Sequence, residues 1–359
     1  MLEVKEANLQ VKNSGKTIQI LSNVCVDYPT SHFGAIIGPS GCGKTSFLKL
    51  VAGIAPGVEE GNLFWKKQNL DKQDFNASEL AYVPQFSIAH EELTAWENVR
   101  YSLSLRVKSK DTDNPKQIVD SLLREVGLSE FGNQKAKTLS GGQRRRLALA
   151  MELTSCPEIL LCDEVTSGLD PQSEDEVVKL LQHQAKTEGR LVLSVTHSLE
   201  HLELYDSILV LCRGFVVYHG PPSYLLHHFQ LQDAAQLYSR LSEADPEYWA
   251  DAWLKNKDEV LKMAPTANEA VPNENGPQER KKEIIPGPVS QCATLLKRRI
   301  VIFFRSFSQI FLQIGLILGF PLLVTVFAWK GLPSVNTMSL GLSQNAQKQF
   351  DELLTYLDH

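Results

Sequence analysis

Along the first 225 residues, short apolar runs alternate with stretches of helical periodicity. Gly34 to Gly38 (GAIIG), Ile159 to Asp163 (ILLCD), Leu191 to Thr196 (LVLSVT) and Ile208 to Cys212 (ILVLC) read as buried strands, each followed by a turn or a helix. That pattern predicts an α/β layer structure around a mostly parallel sheet. Leu2 to Val11 and Gln19 to Tyr28 read as strands of a flanking antiparallel sheet. Residues 86–150 carry no buried-strand pattern. They predict a helical subdomain set into the α/β core, with helices over Pro115 to Gly127 and Gly141 to Thr154. Residues 226–263 are expected to continue as helix, with Trp249 and Trp253 four apart on one face.

Beyond residue 263 the pattern changes. Residues 264–288 hold prolines at 265, 272, 277, 286 and 288 among Asn, Glu and Lys, which is the composition of a linker. Residues 289–306 pair basic positions with an apolar face, as a helix lying at a membrane interface would. Ile310 to Trp329 then runs without a charge, and about 20 apolar residues in a helix span a bilayer core. The span is placed at 308–330, with 331–359 as an extracytoplasmic tail ending in a short amphipathic segment (Phe350, Leu353, Leu354, Leu357). Lys297, Arg298, Arg299 and Arg305 precede it, so its N-terminal side is expected in the cytoplasm with the large domain.

Composition narrows the class. The chain has 359 residues, 43% of them hydrophobic and 22% charged, which describes a globular protein of about two domains. A formal net charge of -6 gives no basic footprint for nucleic acid. The cysteines (Cys25, Cys42, Cys156, Cys162, Cys212, Cys292) form no CxxC pair, so neither a zinc site nor a disulfide framework is indicated, and they are expected to be reduced thiols. Met1 to Gln10 lacks the basic-then-apolar order of a signal peptide.

Candidate chemistry begins at Gly38-Pro39-Ser40-Gly41-Cys42-Gly43-Lys44-Thr45, which matches GxxxxGK[ST] and is followed by Ser46. It lies between an expected strand and an expected helix, the context that gives the motif meaning. Glycines let backbone N–H groups turn inward around phosphate oxygens, and the helix start adds its positive dipole end. Lys44 would reach the β- and γ-phosphates, and the Thr45 hydroxyl could ligate Mg²⁺. Phe47, Leu50 and Val51 would bury the other face of that helix. Downstream, the ILLCD strand ends in Asp163 and Glu164. Asp163 would orient the metal, and Glu164 is placed to polarise an attacking water.

Leu139-Ser140-Gly141-Gly142-Gln143 reads LSGGQ, and with it the chain resembles the ATPases of ABC transporters. Tyr82-Val83-Pro84-Gln85 looks like the family's Q-loop, Ser167-Gly168-Leu169-Asp170 like its D-loop, and His197 like its switch histidine. The resemblance implies a P-loop NTPase with a RecA-like core, a flanking antiparallel sheet and an inserted helical subdomain. It implies ATP and Mg²⁺ as ligands, with Thr45, Gln85 and Asp163 near the metal. Glu164, Gln85 and His197 would carry the catalytic roles. It also implies a second ABC subunit, docked head to tail, whose Ser140 and Gly142 reach the γ-phosphate; both a homodimer and a heterodimer stay open. The order of ATPase before span, with Leu93 to Arg106 (LTAWENVRYSLSLR), resembles the G subfamily of half-transporters and implies substrate export.

The sequence departs from that family in three places. Val11 to Gly15 offers no aromatic ring to stack on adenine, which puts base selectivity in question. Val165 stands where a proline usually follows the acidic pair. One span replaces the family's several, so the chain is either a fragment of a longer transporter or a truncated product. A non-transport ATPase acting on nucleic acid and a membrane-anchored regulator without turnover are the alternatives. Acidic balance and the span weigh against the first, with Arg144-Arg145-Arg146 as the one basic run worth testing. Glu164 and His197 weigh against the second. The span makes a simple prediction: the chain cut after residue 290 should stay soluble without detergent, whereas residues 1–359 should require it. Equal partitioning of the two in a phase-separation assay would remove the span.

Overall fold

The structure, a computed structural model, describes every residue except 14–15, 71–74, 77, 87, 109–113, 264–284, 330–345 and 356–359. The chain divides into two compact units, Met1–Arg298 and Arg299–His359. Along the first unit run β1 (Leu2–Asn13), β2 (Lys16–Tyr28), β3 (His32–Ile37), α1 (Lys44–Val51), β4 (Val58–Trp65), β5 (Gln68–Asn69) and β6 (Leu80–Val83). Three helices follow, α2 (Ala95–Arg106), α3 (Pro115–Glu125) and α4 (Gly141–Glu152). The chain then returns to alternation with β7 (Ile159–Asp163), α5 (Pro171–Lys186), β8 (Leu191–Val195), β9 (Ser207–Cys212) and β10 (Phe215–Gly220). It ends in α6 (Pro222–Phe229), α7 (Leu237–Leu241) and α8 (Pro246–Met263), with α9 (Pro288–Arg305) crossing the boundary into the second unit and α10 (Phe307–Trp329) within it.

The main sheet has the order β10-β9-β3-β8-β7-β6. Its pairs are parallel except β10 on β9. Every residue of β7, β8 and β9 is buried, which is why these strands read as unbroken apolar runs. The flanking sheet has the order β2-β1-β4-β5 and is antiparallel. Four strands escape the pattern reading. β4 is VEEGNLFW, mostly exposed and interrupted by a glycine, and β5 is two residues long. β6 is a four-residue edge strand, and β10 follows β9 after a two-residue turn.

The expected helix over 226–263 is corrected. α6 already begins at Pro222 and stops at Gln230, whose φ of 54° closes the helix in the left-handed region. α8 restarts at Pro246, because a proline suits a helix's first turn and breaks its interior. The apolar face of α8 is present as expected: Trp249, Trp253 and Val260 are buried, and the Trp253 ring lies 5.4 Å from that of Tyr218 in β10. Most of the expected linker (264–284) and tail (330–345, 356–359) lies outside the described residues, as do Ser14, Gly15 and Leu357. Residues 346–355 are helical. In the second unit, Ile310–Trp329 is long and apolar enough to cross a membrane, and none of it is buried within the protein. The six cysteines are all free.

Two histidines, His219 buried and His32 half-buried, give the fold a pH dependence. His32 bonds Ser207 Oγ through Nε2 at 2.7 Å, and burial lowers its pKa to about 4 against the pull of Asp206. His219 stands edge-on to Tyr28 at 4.9 Å, and burial lowers it to about 3. Both are neutral in the fold but bind a proton near 6.5 when unfolded, so stability is full above that value and falls as pH drops toward 4 and 3. The urea midpoint is expected to fall between pH 7.5 and pH 5, and less steeply in His219→Leu. Identical pH slopes for the two proteins would refute this.

Candidate active site

Four loops leave the carboxyl ends of β3, β8, β7 and β6, which are neighbours in the sheet. Crevices at such strand ends are where open α/β sheets hold ligands. Here the loops deliver the phosphate-loop residues Gly38–Ser46 from β3, His197 from β8, Asp163 and Glu164 from β7, and Gln85 from β6.

The phosphate loop is shaped by two glycines. Gly38 has φ +150°, and a Cβ there would lie 2.2 Å from the Leu211 carbonyl oxygen. Gly43 has φ +107° and stands at the start of α1, with Leu21 and the Ile20 carbonyl at its back. Side chains at either position would push the loop off the sheet. The first turn of α1 has no side-chain cap and no acidic residue, so its orphan N–H groups face an anion without competition. Lys44 is buried and donates from Nζ to the carbonyls of Gly38 (2.8 Å) and Pro39 (3.1 Å), folded over its own loop.

Thr45 Oγ1 donates to Asp163 Oδ1 at 2.8 Å, and Tyr82 Oη donates to Asp163 Oδ2 at 2.8 Å. The next carboxylate is equally engaged: Glu164 meets Gln85 Nε2 through Oε2 and His197 Nε2 through Oε1, both at 2.7 Å. Glu164 has φ 50°, a sparsely populated conformation for a residue with a Cβ. Its backbone N–H bonds the Val195 carbonyl at 3.2 Å while its side chain reaches toward both partners. Such strain concentrates at functional sites. The hard oxygen donors Thr45 and Asp163 fit a small divalent cation, which keeps waters and borrows phosphate oxygens. No cluster of three His, Cys, Asp or Glu able to hold a metal by itself occurs among the described residues.

Residues 139–143 form a second centre. Ser140 caps α4: its Oγ accepts from the Gln143 N–H at 3.2 Å, and Gln143 Oε1 accepts from the Ser140 N–H at 2.9 Å. The Ser140 hydroxyl keeps its own proton for a further acceptor. Gly141 approaches Leu169 and Gly142 approaches Ser173, so the signature abuts the D-loop Ser167–Asp170, where Asp170 caps α5. Leu139 is buried beneath it. Among the described residues, no hydrogen bond or ion pair joins 139–143 to 38–46 within the chain.

Besides Tyr82 on Asp163, Arg145 and Tyr238 add to the site without having been singled out for it. Arg145 on α4 donates to the Gln85 carbonyl oxygen. Arg146 reaches the Val126 and Gly127 carbonyls and pairs with Glu176 at 3.4 Å. Two of the three arginines in the basic run thus serve the cassette internally. Tyr238 on α7 places its hydroxyl 3.5 Å from the His197 carbonyl. Burial raises its phenol to about 12, opposed by a hydrogen bond with the Gly38 backbone. Nothing in the local sequence marks Tyr238, since only the packing of the C-terminal helices brings it to the phosphate loop.

Comparison with known proteins agrees with this geometry. Residues 21–167 match the model of the family described as ABC transporter. The ABC transporter ATP-binding/permease protein Rv1747 of Mycobacterium tuberculosis is 32% identical over 254 residues, 69% of this chain and 29% of that protein. ABC transporter G family member 4 of Arabidopsis thaliana is 31% identical over 315 residues, 84% of this chain and 53% of that protein. The chain thus spans under a third of the first and about half of the second. Among solved structures, the ATP-binding cassette MJ0796, a dimer bound to ADP and phosphate, superposes with a TM-score of 0.55 at 26% identity, covering 62% of this chain and 98% of that one. Uncapped phosphate loop, paired acids at a strand end and family match together place this chain among the ATP-binding proteins of ABC transporters.

Proposed function

We propose that the chain binds MgATP in the loop Gly38–Ser46 and hydrolyses it within a head-to-tail pair of cassettes, powering export by a G-type half-transporter. The observation that carries the reading is the convergence of Gln85 and His197 on Glu164, one residue beyond Asp163, at the edge of an uncapped phosphate loop.

The residues act as follows. Lys44 exchanges its two loop carbonyls for β- and γ-phosphate oxygens, a charge-assisted bond stronger than those it gives up. Thr45 and Asp163 would hold Mg²⁺, which would supply charge neutralisation at the phosphates. Glu164, once its carboxylate is released from Gln85 or His197, takes the proton of a water whose oxygen bonds the γ-phosphorus as the bond to the β-phosphate oxygen breaks, giving ADP and phosphate. Gln85 then orients that water and borders the metal, and His197 holds the γ-phosphate. The second subunit closes the site with the Ser140 hydroxyl and the N–H groups at the start of its α4, a helix end whose orphan donors suit an anion. Leu139, Gly141 and Gln143 shape that helix start, and Ser167 to Asp170 line the same edge.

Transport rests on the family and on the apolar helix Ile310–Trp329, which would hold the ATPase on the cytoplasmic side of a cell membrane. Over 315 residues the similarity to ABC transporter G family member 4 runs through the ATPase and past it, which supports the half-transporter reading. The arginine run gives no support to a nucleic-acid partner, because Arg145 and Arg146 are spent on carbonyls and Glu176 inside the protein.

Glu164→Gln tests the assignment. It should keep MgATP affinity, accumulate a nucleotide-bound dimer on gel filtration, and lower kcat by about 100-fold or more, the usual contribution of a general base. Turnover at the wild-type rate would overturn the role of Glu164.

A further inference from the structure

Asp163 is buried, and each of its oxygens is already held. Oδ1 accepts from Thr45, the residue expected beside the metal, and Oδ2 accepts from Tyr82 on β6. The parallel pairing of β6 with β7 fixes this meeting, since Tyr82 lies opposite Leu161 and Val83 opposite Cys162. Three residues on, Gln85 leaves the same strand and holds Glu164. One strand end therefore grips both acids, the first through a phenol and the second through an amide.

We infer that Tyr82 is a positioning residue for the metal site: its hydroxyl pins Oδ2 of Asp163 and leaves Oδ1, the oxygen shared with Thr45, as the one that faces the cation. The inference rests on the proposed ATPase reading and assigns that site a further member. A carboxylate with both oxygens free would swing about its terminal torsion, which is broad for Asp. A half-buried hydroxyl bond removes that freedom before the cation arrives, and the ordering cost is met by folding rather than by binding. Entry of the cation costs Asp163 the Thr45 bond alone.

The test uses the full chain in detergent and the variant Tyr82→Phe, which keeps the ring and deletes the hydroxyl. Two readouts are taken. The first is the free Mg²⁺ needed for half-maximal thermal stabilisation of the ADP-bound protein, which involves no turnover. The second is kcat at saturating MgATP. In Tyr82→Phe the Mg²⁺ midpoint should rise several-fold and kcat fall three- to ten-fold, while ADP affinity without Mg²⁺ stays at the wild-type value. An unchanged or lower Mg²⁺ midpoint would overturn the inference, the lower value meaning that the hydroxyl competes with the cation.

A double-mutant cycle with Asp163→Asn covers the structural alternative. The hydroxyl deletion should change the apoprotein's Tm and Mg²⁺ midpoint much less in that background than in the wild type, since coupled residues are non-additive. Equal effects in both backgrounds would show that Tyr82 acts through packing and not through Asp163. Should the wild type itself neither bind MgADP nor turn over, the ATPase reading falls. The apoprotein cycle then still decides whether the Tyr82–Asp163 bond exists.

Discussion

Everything at this site depends on a helix start left without a cap. The first turn of α1 offers its N–H groups to no side chain and carries no acid. In most helices a Ser, Thr, Asp or Asn would satisfy one of those donors. α2, α4 and α5 of this chain are capped in that way, by Thr94, Ser140 and Asp170. α6 and α7 also start without a side-chain cap, but α1 is entered through Gly38 and Gly43, both in backbone conformations that side chains rarely adopt. The unmet hydrogen-bonding capacity is what a phosphate group supplies.

Around that start, polar side chains are tied to one another in pairs. Lys44 leans on loop carbonyls, Thr45 and Tyr82 share Asp163, and Gln85 and His197 share Glu164. Each pair keeps a buried or half-buried polar group satisfied within the protein, as burial demands. Each also involves a group that the proposed chemistry would use, so binding nucleotide and metal amounts to exchanging one set of bonds for another. The strained φ of Glu164 fits the same view, because it is maintained by the Val195 carbonyl at the adjacent strand end.

The signature segment is organised differently. Ser140 closes a capping box with Gln143, so the helix start is stable by itself, and yet the serine proton and the adjacent N–H groups remain available. Within one chain these groups adjoin the D-loop. The proposed site, which draws on both centres, would be completed by a second copy or a related subunit. Arg145 connects the two regions inside the chain by tying α4 to the Q-loop backbone, and Tyr238 connects the C-terminal helices to the phosphate and switch loops.

Sequence alone determined the phosphate loop, the acids Asp163 and Glu164, the signature and the buried parallel strands. Each is written in contiguous residues whose types are dictated locally, by backbone conformation or by burial on both faces of a sheet. The apolar run of α10 was legible for the same reason, since length and composition decide it. Tertiary structure alone decided what is set by partners distant in the chain. Val58–Trp65 pairs with β1 although its own pattern is polar, and Leu80–Val83 is too short to announce itself. The helix expected over 226–263 breaks where Gln230 turns left-handed and Pro246 restarts it. Tyr82 reaches Asp163 across 81 positions and Tyr238 reaches His197 across 41. Such meetings follow from strand register and helix docking, which no local run of residues encodes.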